Sequence, residues 1–118
     1  MAFPKNTLFG EDEQTISKIS FALSHPARLF IAKVLWDQGP KYVLELERMM
    51  PLTQGSISHH LSKMRAEGLI EVEEQRLYNR YSINLNRLQE TLDAYERWYG
   101  EFGIRSRGLG LSTRIGSS

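Results

Sequence analysis

The stretch from Thr53 to Glu67, TQGSISHHLSKMRAE, carries the side chains best suited to binding chemistry. In a helix, with about 100° per residue, Ile57, Leu61 and Met64 fall on one side. Small polar or basic groups occupy the other side, and no acidic residue that would repel phosphates occurs between Thr53 and Ala66. Hydroxyl, amide and imidazole groups can bond base edges and phosphate oxygens. The candidate DNA-binding residues here are Gln54, Gly55, Ser56, Ser58, His59, Ser62 and Lys63.

A polar front is not unusual in itself, since any exposed amphipathic helix has one. Ordinary surface helices carry Glu and Lys there, whereas this one carries Ser-Ile-Ser-His-His. Thr53 is a good N-cap. Gly55 leaves a bare first turn that allows a close backbone approach, and it costs the helix about 0.5–1 kcal/mol relative to Ala.

A β-hairpin is predicted directly after this helix. Leu69 to Val72 begins one strand, and the alternating apolar residues from Tyr81 to Leu85 form its partner. No acid occurs from Gln75 to Leu88, so the arginines of the turn are expected to reach phosphates that flank the groove. The candidate contact residues of this wing are Arg76, Asn79 and Arg80.

The base of the hairpin is acidic, because Glu71, Glu73 and Glu74 lie close together. We expect these carboxylates to be solvated or paired with the nearby arginines. They argue against a wing that lies flat on DNA.

Bulk composition indicates one soluble globular domain. The chain has 118 residues, 41% hydrophobic and 25% charged, and a core of that size gains from oligomerisation. A net charge of +1 is weak evidence for a nucleic-acid partner. The absence of cysteine excludes a disulfide framework and a thiolate metal site, and it favours the cytoplasm. We find no signal peptide and no apolar run long enough to span a bilayer.

Five helices are predicted to surround the hairpin. An N-terminal arm (1–10) precedes a domain that spans residues 11–103, and a flexible basic C-terminal tail (104–118) follows. The first helix runs from Glu11 to Leu23, and the second begins at Pro26 and buries a stripe that includes Phe30. The third helix runs from Val43 to Met50, and Asn86 is expected to cap the last helix.

The last helix carries an apolar seam whose members recur at spacings of four, three, four and three. This two-heptad pattern favours a homodimer, although packing within one protomer is an alternative. A two-fold dimer would set two recognition helices roughly 34 Å apart, one turn of duplex. The predicted interface residues are Leu88, Leu92, Tyr95, Tyr99 and Phe102 with Trp98 beside them, and Ile16 and Ile19 from the first helix.

Three segments resemble the ArsR-type (arsenical-resistance repressor) family of bacterial winged-helix regulators. They are ALSHPARLFIAKVL (22–35), LTQGSISHHLSKMRAEGLI (52–70) and LYNRYSI (77–83). The resemblance implies a mainly α winged helix-turn-helix fold with a β-hairpin wing. It further implies a dimeric DNA-binding regulator, commonly a repressor that an effector releases. By position it points to Gln54, Ser56, Ser58 and His59 as residues near bases or phosphates.

The family's metal sites are not carried over. Metal sensors of this family have a Cys-x-Cys pair at the start of the third helix, where this chain has Tyr42 and Leu44. The last helix has no histidine, which a second family site uses. No metal or other cofactor is therefore predicted. An unidentified small-molecule effector stays open, in an apolar pocket formed by Tyr95, Trp98, Tyr99 and Phe102, with Phe3 and Phe9.

The three histidines have separate predicted roles. His25 is expected to bond local backbone at a helix start, and His60 to have a structural role at the buried side. His59 faces outward, which favours contact with DNA. His59 and His60 project about 100° apart, so they cannot share one ion.

The sequence thus predicts a homodimeric, sequence-specific DNA-binding transcriptional regulator. The alternative is a winged-helix protein-interaction module that does not bind DNA. An enzyme is not expected, because there is no Gly-rich phosphate loop, no cysteine nucleophile and no carboxylate-oriented base beside the Ser and His cluster.

Overall fold

The computed structural model describes residues 9–103, which form five helices and three strands. Residues 1–8 of the predicted arm and the whole predicted tail lie outside this range. No helix in the described part of the chain has the length and apolar character needed to cross a membrane. The elements are α1 (Glu11–Ala22), α2 (Pro26–Gln38), β1 (Lys41–Tyr42), α3 (Val43–Met49), α4 (Gln54–Ala66), β2 (Ile70–Glu74), β3 (Asn79–Ile83) and α5 (Leu85–Gly100).

A single core lies where α1 to α4 meet the base of the hairpin. Its fully buried large side chains are Ile19, Ile31, Leu35, Leu46, Ile57, Leu61, Met64, Leu69 and Ile70. The predicted stripe on α2 is correct for Ile31, Val34 and Leu35, but Phe30 is exposed. Arg28 is buried instead, because positions 28, 31 and 35 share one helix face at spacings of three and four.

The sheet has three antiparallel strands in the order β1-β3-β2, one strand more than the predicted hairpin. The added strand β1 is only two residues long, with Lys41 opposite Tyr81 and Tyr42 opposite Arg80. A segment so short has no alternation that a sequence pattern could reveal. The fold is otherwise the predicted winged helix-turn-helix, with five helices and a β wing.

The last helix starts two residues earlier than predicted. Asn84, not Asn86, is the N-cap, and its Oδ1 accepts a hydrogen bond from the Arg87 backbone N–H at 3.0 Å. Leu85, which the sequence placed in the strand, is the first helical residue. β3 therefore ends at Ile83, and only one residue separates strand from helix.

Helices α1 and α5 pack against each other and are joined by two polar contacts. The Arg97 guanidinium donates to both carboxylate oxygens of Asp12, each at 2.9 Å. These hydrogen bonds hold the pKa of Asp12 below its ordinary value. The hydroxyls of Ser20 and Tyr95 lie 3.1 Å apart. The first and last helices of the described chain are thus joined side by side, and Ile19 of α1 also belongs to the core.

Candidate nucleic-acid interface

Helix α4 has one buried side and one exposed side, as the sequence predicts. The Thr53 Oγ1 accepts from the Ser56 backbone N–H at 3.1 Å, which confirms Thr53 as the N-cap. Ile57, Leu61 and Met64 are completely buried. The opposite side is exposed at Gln54, Gly55, Ser58, His59, Ser62 and Lys63, and Ser56 is half-buried. Burial of the apolar side therefore turns the acid-free side outward.

The end of α4 is fixed by a Schellman motif. Gly68 has φ +77°, its N–H donates to the Arg65 carbonyl at 2.9 Å, and the Leu69 N–H donates to the Met64 carbonyl at 3.1 Å. The Arg87 Nε donates to the Glu67 carbonyl at 3.2 Å, which ties α5 to the same helix end. Strand β2 starts two residues after Gly68, so the turn sets the angle between α4 and the wing.

The tip of the wing is a tight turn with exposed side chains. The Gln75 backbone N–H donates to the Tyr78 carbonyl at 3.0 Å. Arg76 is exposed and makes no ion pair within residues 9–103. Leu77 is 78% exposed and Tyr78 is also exposed, so the tip presents apolar as well as basic groups. The sequence prediction named Arg76 but not these two neighbours.

A chain of polar contacts orders the base of the wing. The Tyr42 hydroxyl donates to Gln75 Oε1 at 3.0 Å, and Gln75 Nε2 donates to Glu73 Oε1 at 3.1 Å. Arg80 Nη2 donates to the same Glu73 oxygen at 2.7 Å. Of the three acids, Glu73 is thus paired with a nearby arginine, as expected. A phosphate that contacts Arg80 has to compete with this carboxylate.

The histidines of α2 and α4 form a cluster. Nδ1 of His25 accepts from the Ala27 N–H at 3.0 Å, which confirms its predicted local role. His60 is 7% exposed and Nδ1 accepts from Arg28 Nε at 3.1 Å, which confirms a structural role. His59 is exposed. Within residues 9–103, no group of three or more His, Asp or Glu side chains is placed to hold a metal ion.

The predicted dimer seam divides into two parts. Ile19 is 1% exposed and belongs to the protomer core, so it is not available to a partner, and this part of the prediction is corrected. Leu88 packs against the edge of the same core. Ile16, Leu92, Tyr95, Trp98 and Tyr99 are half-buried, and Phe102 is exposed. The outer part of α5 therefore keeps apolar surface that the protomer does not cover.

The four aromatic rings of α5 pack on one another. Ring centroids of Trp98 and Phe102 are 4.8 Å apart, and those of Tyr95 and Tyr99 are 6.1 Å apart. A groove of about 340 Å³ opens between α1, α2 and α5, but Tyr95 is its only lining residue from this aromatic set. Its other lining residues are Ile19, Ser20, Leu23, Leu29, Leu88, Thr91 and Leu92. Phe3 lies outside the described residues.

Comparison with known proteins finds similarity to bacterial and archaeal regulators of transcription. A family model described as "Bacterial regulatory protein, arsR family" matches residues 25–72. An uncharacterized HTH-type transcriptional regulator of Methanocaldococcus jannaschii is 28% identical over 82 residues, which cover 70% of this chain and 92% of that protein. The HTH-type transcriptional regulator YgaV of Escherichia coli K12 is 39% identical over 62 residues, which cover 52% of this chain and 63% of YgaV.

A solved structure has a similar fold. An ArsR-like transcriptional regulator from Rhodococcus sp. RHA1 aligns with a TM-score of 0.69 at 23% identity, covering 83% of this chain and 92% of that one. The family match covers α2, β1, α3, α4 and the start of β2, so it includes the candidate residues of α4 but ends before Arg76, Asn79 and Arg80 of the wing. The matched proteins are described as transcriptional regulators. The chain therefore resembles the ArsR family of winged helix-turn-helix transcriptional regulators, whose family model matches residues 25–72.

Proposed function

We propose that the chain acts as a homodimer that binds a two-fold-symmetric operator and represses the adjacent gene. The exposed, acid-free side of α4 is the observation that carries this proposal. An α-helix with its side chains is about 10–12 Å wide, which matches the major groove of B-DNA at about 12 Å. We place Gln54, Ser58 and His59 at base edges and the remaining polar residues of α4 near phosphates.

The wing supplies contacts that do not depend on base sequence. Arg76 is exposed and without an ion pair in the described chain, so its charge is available to a phosphate. Asn79 and Arg80 follow on β3, and Arg80 must exchange Glu73 for a phosphate. Phosphate contacts of this kind position a protein on the duplex without reading its sequence.

The dimer is proposed to form through α5. Support comes from the half-buried Leu92, Tyr95 and Tyr99 and from the exposed Phe102, which continue one stripe along the helix. A second copy would cover this stripe and the groove beside it. Two-fold pairing would then place two α4 helices roughly one duplex turn apart. Repression follows where such a dimer occupies the site that RNA polymerase needs, and we place this activity in the cytoplasm.

The alternative of a protein-interaction module that does not bind DNA is not favoured. It rests on the acidic base of the wing and on the near-neutral net charge of +1, whereas the exposed side of α4 is free of acids. The relatives named above are transcriptional regulators.

In vitro selection of bound duplexes, followed by binding of variants to the enriched sequence, tests the proposal. Ser58→Ala with His59→Ala should reduce discrimination between the selected duplex and a scrambled one. Arg76→Ala should weaken binding to both duplexes alike and reduce the salt slope by about one. Absence of any enriched duplex, with all variants binding as the parent does, would contradict it.

A small-molecule effector is a separate proposal. The packed rings of Tyr95, Trp98 and Tyr99 give the proposed interface an apolar, aromatic lining. Because the chain has a second tryptophan, Trp36→Phe should be the background in which Trp98 fluorescence is followed. Aromatic acids and hydrophobic amines are suitable probes. Coupled fluorescence change and release of DNA would support an effector site, and their absence over the probe set would count against it.

A further inference from the structure

Arg28 is a buried cation that joins three helices. It is 8% exposed and lies on the core side of α2. Its Nη1 donates to the Phe21 carbonyl near the end of α1 at 2.9 Å, and its Nε donates to Nδ1 of His60 in the middle of α4 at 3.1 Å. Its guanidinium carbon lies 5.5 Å from the centre of the Phe21 ring. One side chain thus bridges α1, α2 and the recognition helix.

The acceptors of Arg28 are neutral, which is unusual for a buried arginine. Buried charges are ordinarily paired with an opposite charge. No carboxylate among residues 9–103 forms an ion pair with Arg28. Its partners are instead a backbone carbonyl and one imidazole nitrogen. The contact with α4 therefore depends on the protonation state of a histidine.

The hydrogen bond fixes that protonation state. Arginine stays protonated and can only donate, so Nδ1 of His60 must carry a free lone pair. His60 is then neutral, with its proton on Nε2. A second proton would occupy Nδ1, remove the acceptor and place a positive charge against the guanidinium.

The surroundings of His60 oppose that second proton. Burial lowers the pKa of His60 below its ordinary value, and the charges of His25, Arg28 and His59 lower it further. The ring centroid of His25 on α2 is 4.5 Å from that of His60, and the His59 centroid on α4 is 5.9 Å away. From α1 the nearest polar group in this network is the Phe21 carbonyl that Arg28 holds. Within the described chain, the charges that act on His60 come from His25, Arg28 and His59, and each opposes its protonation.

We propose that Arg28 is a positioning residue for DNA recognition, which holds α4 in its docking orientation through neutral His60. The inference deepens the proposed function and rests on it. His60 adjoins His59 and lies two residues from Ser58, on the helix that we place in the major groove. Loss of the Arg28 contact would shift both side chains relative to the base edges. Specific binding should then fall in mild acid, while attraction to phosphates does not.

A pH series with matched variants tests this role. His60→Asn keeps an acceptor at the δ position but cannot take a proton. Between about pH 7.5 and about pH 5.5, where histidine changes charge, the parent should lose about two- to fivefold in the affinity ratio of selected over scrambled duplex, because the lowered pKa of His60 leaves only part of the population protonated at the acid end. His60→Asn should hold its ratio constant across this range. Arg28→Lys, which lacks the planar fork, should have a low ratio at both pH values.

Two controls separate His60 from its neighbours. His25→Asn is the matched control, because it keeps a side-chain cap for α2 and lies outside the proposed DNA contact, and it should retain the pH dependence of the ratio. His59→Asn should lower the ratio at every pH, because His59 is placed at base edges, but the fall of that lower ratio in acid should persist. If His60→Asn retains it as well, or if either control abolishes it, the proposal is overturned. Thermal unfolding of each variant at about pH 7.5 checks that the fold persists.

A measurement without DNA keeps this inference apart from the proposed function. Nitrogen chemical shifts of the His60 ring in the full chain should report a neutral Nε2–H tautomer at neutral pH. His60 protonation should occur below about pH 6.5, the ordinary histidine value, and Arg28→Lys should change its shifts. A proton found on Nδ1 would overturn the positioning role even if the chain binds its operator. Failure to select any duplex, with the tautomer as expected, would instead reject the proposed function alone.

Discussion

Arg80 and Glu73 face each other across β2 and β3, with 2.7 Å between Nη2 and Oε1. Both side chains are substantially exposed, so the pair contributes only about 0–1 kcal/mol to stability. Its larger effect is electrostatic, because the Glu73 carboxylate binds and neutralises the Arg80 guanidinium that could otherwise contact a phosphate. In the proposed complex, the acidic base of the wing would therefore moderate DNA affinity.

Removal of the Glu73 charge should strengthen binding to every duplex. In Glu73→Gln, Arg80 is released for a phosphate, and each added phosphate contact steepens the dependence of log K on log salt by about 0.9. We expect a severalfold higher affinity for selected and scrambled duplexes alike, measured by fluorescence anisotropy over a salt series. Glu71→Gln is the matched control, since Glu71 is exposed on the same strand and has no ion pair in the described chain. Equal salt slopes for both variants would contradict a role for the released arginine.

A substitution at Gly55 can measure the stability of α4 separately from its contact with DNA. A Cβ at this position would meet nothing within 4 Å in the free protein. Gly55→Ala should therefore raise the free energy of unfolding by up to about 0.5–1 kcal/mol, as alanine favours a helix over glycine. The same methyl group should weaken operator binding if the first turn of α4 approaches DNA closely. Denaturant unfolding and binding titrations measure the two effects, and unchanged affinity would exclude the close approach.

The backbone conformation at position 68, rather than a lack of room for a side chain, requires glycine. Its φ of +77° lies in the left-handed region, and a Cβ there would make only ordinary contacts with Arg87. Gly68→Ala should cost about 1–2 kcal/mol of stability. Gly100→Ala, at a helical position with open space and no positive φ, should not destabilise the fold. Equal unfolding midpoints for the two variants would show that the turn after α4 does not need glycine.

A negative charge introduced into the apolar seam of α5 tests whether the seam forms the dimer interface. Leu92→Glu should convert the dimer to a monomer in sedimentation velocity and lower operator affinity. Phe102→Glu tests the same seam without disturbing the protomer core, because Phe102 is exposed. Asn86→Glu adds the same charge to the exposed opposite side of α5 and should leave a dimer. A parent that sediments as a monomer at every concentration would reject the seam.

Features set by periodicity or local chemistry could be predicted from the sequence. The apolar spacing of Ile57, Leu61 and Met64 determined which side of α4 faces out, and the Thr53 cap needs only its own turn. The sequence left open whether the acids at the base of the hairpin are solvated or paired, and Glu73 is paired because the strand register places it opposite Arg80.

Contacts between distant segments could not be predicted. Arg28 and His60 are 32 residues apart, and nothing in either helix alone shows that they meet. The spacing of Arg28 from Ile31 and Leu35 could have predicted that Arg28 lies on the buried face of α2. No other feature of the sequence indicated its contact. Ile19 looked like part of an exposed seam because helix spacing does not tell a core from an interface.

Guanine methylation interference on the selected duplex is the most direct test of two α4 helices reading successive major grooves. Methylation of guanine N7 blocks the major-groove edge without altering the minor-groove edge. We predict two clusters of interfering guanines, related by two-fold symmetry and centred about 10–10.5 base pairs apart on one face of the duplex. A single cluster, or no interference by any methylated guanine, would contradict this arrangement.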